Sequence, residues 1–290
     1  MTLVKQSPCK VNLLLNVLGR RVDGFHELET LMHPVQLHDQ LTFSRRGQSI
    51  KLTCNLDTLP TDSQNLVYRA AELFLKAAGI KEGITMHLDK RIPLAAGLGG
   101  GSGNAATTLT GLNELFGRPL PTKTIASLAE SLGSDVPFFL QECPALATGR
   151  GEHIQSLDFF PALCGKAFVL VHPGFGIASS WAYQQLKRFP KALNGRPGRA
   201  HKLIELLRRA NLAEAAHELY NSLEAPALEK FPLLSLFQDF FRENGATATL
   251  MSGSGSTTFA IASSPIAATE LVEKLKSKFG ATHWTAAVAI

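Results

Sequence analysis

The residues best placed to do chemistry in this 290-residue chain form the run Pro93, Leu94, Ala95, Ala96, Gly97, Leu98, Gly99, Gly100, Gly101, Ser102 and Gly103. The small-residue stretch Asn104–Leu109 follows at once and reads as a helix, and Ile84–Asp89 just upstream alternates like a strand. Strand, glycine loop and helix start together make an anion site. Glycine lets the backbone turn at φ > 0 and approach a ligand closely. The unpaired N–H groups of the first helical turn then point at that ligand, and the macrodipole favours negative charge there. The expected ligand is a phosphate chain. Neither the P-loop pattern nor G-x-G-x-x-G fits the run. Glycine clusters also build tight turns with no ligand, and the adjoining helix start is what favours the phosphate.

Four further groups carry chemical potential. On a strand Pro8–Leu18, Lys10, Asn12 and Asn16 fall on one face, with Val11, Leu13, Leu15 and Val17 on the other. A lysine and an amide side by side could orient a hydroxyl and a phosphate. An ordinary half-exposed strand has the same pattern, and the strand alone favours that reading. Asp135, in Gly133-Ser-Asp-Val-Pro137, could cap a short helix beginning near Pro137 or act as a base on a substrate hydroxyl. Taken alone, capping is preferred. Phe25 and His26 lie at a loop-to-strand junction, where aromatic and imidazole groups meet ligands, although a lone histidine is usually structural. Ser252-Gly-Ser-Gly-Ser256 suits either phosphate contacts or a plain hairpin turn.

These groups need a scaffold. Strands are expected at Val11–Val17, His26–Gln36, Gln40–Arg46 and Ser49–Asn55, with a turn at Arg46-Gly47. Asn65–Ala78 reads as an amphipathic helix entered at Asp62 or Ser63 and stopped by Gly79. A helix over Thr122–Leu132 ends at Gly133, and Cys143–Thr148 is a strand. Beyond a boundary near 149–151 or 159–161, Lys166–Val171 is a buried strand and helical patterns fill most of 176–244. Strands Ala246–Met251 and Thr257–Ala262, a helix Pro265–Phe279 and a strand Trp284–Ile290 close the chain. Without strict strand–helix alternation the class is α+β, with domains expected at 1–160 and 161–290.

Apolar content of 45% and charged content of 18% exclude a disordered chain. The net charge of +5 suits an anionic small molecule as well as it suits nucleic acid. Residues 187–209 hold eight Lys or Arg and one acid, Glu205. A solvated surface is the preferred reading, ahead of steering of a polyanionic substrate; a nucleic-acid groove would need interleaved aromatics. The cysteines Cys9, Cys54, Cys143 and Cys164 are scattered without C-x-x-C, so no metal site is expected and a reducing cytoplasm is. The first residues lack an apolar signal core and no apolar run is long enough for a bilayer, so no membrane association is expected.

The order of the pieces adds a resemblance. The stretch from Pro8 through Arg20, Asp23-Gly24 and Phe25-His26 is similar to the opening of the 4-diphosphocytidyl-2-C-methyl-D-erythritol kinases, a branch of the GHMP kinase superfamily. Pro93–Ala106 resembles the superfamily's ATP loop, and Gly133–Pro137 the segment with its catalytic aspartate. His172-Pro-Gly174 and Met251–Gly255 resemble two further stretches of the branch. The sequence departs from the branch at Cys9 (usually alanine), at Ala95-Ala96 (usually richer in glycine), at Gly103 (usually a second serine) and at Phe25 (commonly tyrosine). The resemblance implies ATP-dependent phosphorylation of the 2-hydroxyl of 4-diphosphocytidyl-2-C-methyl-D-erythritol, in the non-mevalonate route to isoprenoid precursors. It implies a domain like the second domain of ribosomal protein S5 followed by a ferredoxin-like domain, with ATP and Mg²⁺ as cofactors. Asp135 would be the base, Lys10 its charged partner, and residues 93–103 the ATP contacts. Asn12 would place the substrate, Phe25 and Tyr183 would sandwich its cytosine, and His26 would hydrogen-bond that ring. The alternatives are another GHMP kinase of a small alcohol, or a non-catalytic nucleotide- or RNA-binding protein on an S5-like fold. A binding module needs the glycine loop but not both Lys10 and Asp135.

Overall fold

Long runs of apolar and β-branched residues form strands that end where glycine or charge interrupts them. In the computed structural model, which describes residues Thr2–Ile290, the strands are β1 (Thr2–Arg20), β2 (His26–Arg45), β3 (Ile50–Cys54), β4 (Ile84–Asp89), β5 (Ala145–Gly149), β6 (His153–Ser156), β7 (Ala167–His172), β8 (Tyr220–Asn221), β9 (Ala248–Met251), β10 (Thr258–Ala262) and β11 (Trp284–Ala289). The chain divides into two compact units that interleave in sequence. Among the described residues, one comprises 2–9, 37–92 and 99–142; the other comprises 10–36, 93–98 and 143–290. β1 and β2 each contribute residues to both.

In the first unit β4 lies antiparallel to residues 40–45 of β2 and parallel to β3. The parallel pair requires a crossover, supplied by helix α1 (Leu66–Ala78). Asn65 caps α1, its side chain accepting from the Val67 amide at 2.9 Å, in place of the expected Asp62 or Ser63. Gly79 ends it in the left-handed conformation. Helix α2 (Gly100–Leu115) carries four glycines and three threonines, weak helix formers, and is stabilised by burial of most of its surface. A Cβ on Gly111 would stand 2.8 Å from the Phe43 ring, so the missing side chain lets helix and sheet close up. α3 (Thr122–Leu132) stops at Gly133 as expected.

In the second unit β2 pairs with β5, β5 with β6, and β1 with the two-residue β8. A separate antiparallel sheet has the order β11-β7-β10-β9. With helices Pro232–Glu243 and Pro265–Phe279 it follows the chain order β-α-β-β-α-β of a ferredoxin-like fold. Phe237, Phe240 and Phe241 from the first helix and Leu271 and Leu275 from the second cover Val169, Val171 and Ala260. Each such phenylalanine contributes about 1.5–3 kcal/mol by leaving water.

Three expectations change. The two strands expected over 26–46 are one, and the helix after the glycine loop begins at Gly100 rather than Asn104. The short strands β6 and β8 went unanticipated; two to four residues are too few to show a period. Four of the eight basic residues of the segment are paired: Arg188 with Glu229, Arg199 and Lys202 with Glu218, and Arg209 with Glu205. Its helix Arg199–Arg208 is anchored by the buried Glu29 carboxylate, which accepts from the amides of Gly198 and Ala200 at 2.9 and 2.8 Å. No helix among the described residues is long and apolar enough to cross a membrane.

One buried group makes stability pH-dependent. His33 of β2 sits among Phe159, Phe160 and Phe168, with Nδ1 bonded to the Pro34 carbonyl oxygen at 2.8 Å. Burial pushes its pKa from 6.5 down to about 4. The fold therefore favours the neutral ring. The contribution is complete above pH 6.5 and is lost as pH falls towards 4, amounting to roughly 3 kcal/mol at 1.36 kcal/mol per pKa unit. Urea unfolding at pH 7.5 and 4.5 should show a larger loss for the parent than for His33→Phe. Equal losses would exclude His33 as the source.

Candidate active site

Lys10 and Asn12 do not lie on a half-exposed face. Every residue from Cys9 to Val17 is buried, so both faces of this part of β1 are covered. An ammonium out of water must be hydrogen-bonded. Lys10 Nζ donates to Asn12 Oδ1 at 2.5 Å and to the Gly97 carbonyl at 2.9 Å. Asn12 Nδ2 donates to Thr30 Oγ1 at 2.8 Å, and Thr30 Oγ1 donates to the Leu14 carbonyl at 2.6 Å. Each rotamer is thus set by the next. Asn16, on the same face, is used elsewhere: it donates to the Arg196 carbonyl at 2.7 Å and holds the 194–198 turn.

The glycine loop is fastened to the same strand. The Lys10 amide donates to the Leu98 carbonyl at 2.9 Å, and Ser252 Oγ donates to the Gly97 carbonyl at 3.0 Å. The Thr257 amide donates to the Ala96 carbonyl at 3.1 Å. The Ser252–Ser256 turn is therefore a clamp on the loop, an arrangement its Ser/Gly composition alone could not distinguish from a hairpin. Glu224 holds the clamp's base, accepting from the Met251 amide at 2.7 Å, and burial pushes its carboxyl up to about 7. Thr30 and Glu224 were not foreseen as site residues. Their partners lie far away in sequence, and no local spacing signals them.

Within the loop Ala95, Gly97 and Gly99 all have left-handed backbone, at φ of 51°, 76° and 69°. Alanine at 95 carries a cost of about 1–2 kcal/mol that glycine would not. Gly176 makes room for it, since a Cβ there would stand 2.5 Å from the Ala95 Cβ. At Gly97 a Cβ would stand 2.0 Å from the Ser252 carbonyl, and at Gly103 2.4 Å from the Pro8 carbonyl. Backbone packing thus accounts for glycine at 103.

Gly99 caps α2 without any side chain. Helix geometry leaves the amides of Gly100, Gly101 and Ser102 without a carbonyl one turn earlier. Gly101 is exposed, and a Cβ there would meet only Leu66 Cδ1, at 3.7 Å. No neighbour among the described residues requires glycine at that position. A ligand approaching the amides would require it, as a helix N-terminus suits a phosphate chain. Among the described residues no group of three or more His, Cys, Asp or Glu could hold a metal. A Mg²⁺ ion here would be one that keeps its waters and rides on substrate phosphates.

Asp135 is half-buried, ahead of a single 3₁₀ turn at Pro137–Leu140. The residue in the cap position is Val136, and no side chain caps the turn. Phe25 is 53% exposed, with the Arg150 guanidinium 4.7 Å above its ring. His26 stacks on Tyr183 with ring centroids 5.1 Å apart. Burial, and then the Arg20 charge, lowers the His26 pKa, so the ring is neutral at pH 7 and can both donate and accept.

A family model for the GHMP kinase N-terminal domain matches residues 65–142, and one for the GHMP kinase C-terminal domain matches 201–281. The 4-diphosphocytidyl-2-C-methyl-D-erythritol kinase of Syntrophotalea carbinolica is 39% identical over 275 residues, 94% of each chain. The chain belongs to the 4-diphosphocytidyl-2-C-methyl-D-erythritol kinase family. The enzyme of that name from Pelotomaculum thermopropionicum is also 39% identical, over 90% of this chain and 89% of its own. A crystal structure of 4-(cytidine 5'-diphospho)-2C-methyl-D-erythritol kinase superposes with a TM-score of 0.80 at 34% identity, covering 99% of this chain and all of the other. Homoserine kinase from Cytophaga hutchinsonii, at 19% identity and a TM-score of 0.77, shares the fold. The two-domain α+β GHMP kinase class expected from sequence is thereby established for this family member.

Proposed function

We propose that this chain transfers the terminal phosphoryl group of ATP to the 2-hydroxyl of 4-diphosphocytidyl-2-C-methyl-D-erythritol, a step of isoprenoid precursor synthesis. The observation that carries the reading is 39% identity to kinases of that name along nearly the whole chain, glycine loop included. In the proposed reaction a bond forms between the acceptor oxygen and phosphorus, the bond to the bridging oxygen breaks, and ADP leaves. Phosphoryl transfer asks a protein mainly for positioning and charge stabilisation. The amides of Gly100, Gly101 and Ser102 hold phosphate oxygens, and residues 93–99 shape their approach. Asp135 takes the proton of the acceptor hydroxyl, and Lys10 stabilises charge on the transferring group. Asn12, fixed by Thr30, places the acceptor. A phosphate-borne Mg²⁺ supplies further charge neutralisation when bound.

Residues 1–160 are the proposed catalytic domain and 161–290 the second domain; the two family models fall on either side of that division. The proposed compartment is the cytoplasm, on the scattered cysteines, and the proposed partner is a small molecule carrying cytidine diphosphate rather than a nucleic acid or a membrane. A coupled assay for ADP release tests the reading. Turnover is expected with the cytidyl acceptor and not with mevalonate, homoserine or galactose; preference for one of those three would overturn it.

Phe25, His26 and Tyr183 are the proposed cytosine site. Stacking a base on an aromatic ring is worth about 1–3 kcal/mol. Phe25→Ala should raise the KM for the cytidyl acceptor about tenfold or more and leave that for ATP nearly unchanged. Parallel drift of both KM values with a lower Tm would assign Phe25 to packing alone.

A further inference from the structure

One buried carboxylate fastens both ends of the glycine loop. Asp39, fully buried in β2, accepts through Oδ1 from the amides of Arg91 and Ile92 at 2.8 and 2.9 Å, the residues that lead into Pro93. Through Oδ2 it accepts from Lys90 Nζ and from Asn104 Nδ2, the latter at 2.9 Å. Asn104 lies one turn into α2, beyond the loop. Lys90 Nζ also donates to Asn104 Oδ1 at 3.2 Å, and Asn104 Nδ2 reaches Ser7 Oγ at 2.9 Å. The entering strand and the departing helix are thus tied to the same two oxygens.

A burial this complete is not explained by stability. Taking an ion pair out of water costs as much as its attraction returns, and an apolar pair of similar volume often serves as well. What the pair supplies is geometry. The segment between its two attachments contains three left-handed residues and is rich in glycine, so it has much conformational freedom to lose when a nucleotide binds.

We propose that Asp39, with Lys90 and Asn104, is a positioning residue that presets the nucleotide loop and so raises affinity for ATP over that for the acceptor. This rests on the reading that residues 93–103 bind ATP. The test uses the full chain carrying Asp39→Asn and, separately, Asn104→Ala, which removes the helix-side tie and leaves the ion pair in place. Three quantities are read: the Kd for a non-hydrolysable ATP analogue by calorimetry, the KM for each substrate, and amide hydrogen exchange without nucleotide. Both variants should bind the analogue about tenfold more weakly, as expected when ordering must be supplied at binding. Their acceptor KM should stay within about twofold. Exchange should quicken across 93–102 while β7 and β10 stay protected. If Asp39→Asn does not fold, Asn104→Ala carries the test by itself. Unchanged analogue affinity in the folded variants, or equal loss for both substrates, overturns the proposal. If Gly101→Val also leaves analogue affinity unchanged, the fault lies in placing the phosphates at this loop; if it abolishes binding, the fault lies with Asp39.

Discussion

Asp135→Asn should lower turnover by about a hundredfold or more and leave binding of a non-hydrolysable ATP analogue intact. General-base help is typically worth about 10²–10⁴-fold, and the amide keeps the size of the side chain while losing the basic oxygen. The rival explanation, a helix cap, predicts little change in turnover, because asparagine caps a helix about as well as aspartate. The Tm should therefore hardly move. Lys10→Met should be as damaging to turnover for a different reason. It removes the charge and also leaves Asn12 Oδ1 without its buried donor, at about 1–3 kcal/mol of stability, while the Gly97 carbonyl keeps only Ser252 Oγ. Lys10→Gln separates the two effects: its amide can still donate to the loop, so stability should recover while turnover stays low. Near-normal turnover in Asp135→Asn would take the base role away from it. Recovery of turnover in Lys10→Gln would reduce Lys10 to a strut.

What the chain discloses in one dimension follows physical range. Helices Thr122–Leu132 and Pro265–Phe279 and strand Ile84–Asp89 match their expected bounds to the residue, because caps, prolines and alternation are local signals. The burial of Lys10 was not legible. Its strand reads as half-polar, and only the layers packed on both faces reveal that the polar residues point into protein. Asp39 and Lys90 gave no signal either. A carboxylate 51 residues from its lysine has no spacing to recognise, and its bonds to two backbone amides leave no mark on residue type. The glycine run was legible as an anion site but not as a helix. Gly100, Gly101 and Gly103 are poor helix formers, and burial of α2 overrides their propensity. Three of its glycines look alike in sequence and differ in cause: Gly97 yields to the Ser252 carbonyl, Gly103 to the Pro8 carbonyl, and Gly101 to nothing among the described residues.

That difference makes Gly101→Val the decisive substitution for the phosphate site. The position lies inside α2, its backbone is not left-handed, and the nearest atom to an added Cβ is Leu66 Cδ1 at 3.7 Å. Glycine within a helix costs about 1 kcal/mol relative to alanine. Adding a side chain should therefore leave the Tm unchanged or raise it slightly. Affinity for a non-hydrolysable ATP analogue should nonetheless fall at least about a hundredfold. The new methyl groups stand where phosphate oxygens must come within hydrogen-bond reach of the amides, about 2.7–3.2 Å, and no movement of the helix start can admit both. Gly101→Ala should fall between parent and valine in affinity while gaining stability. Gly99→Val cannot serve in its place, because a φ of 69° would strain any side chain and confound folding with binding. A folded Gly101→Val protein that binds the analogue as tightly as the parent would place the phosphates elsewhere and return the loop to the status of a tight turn.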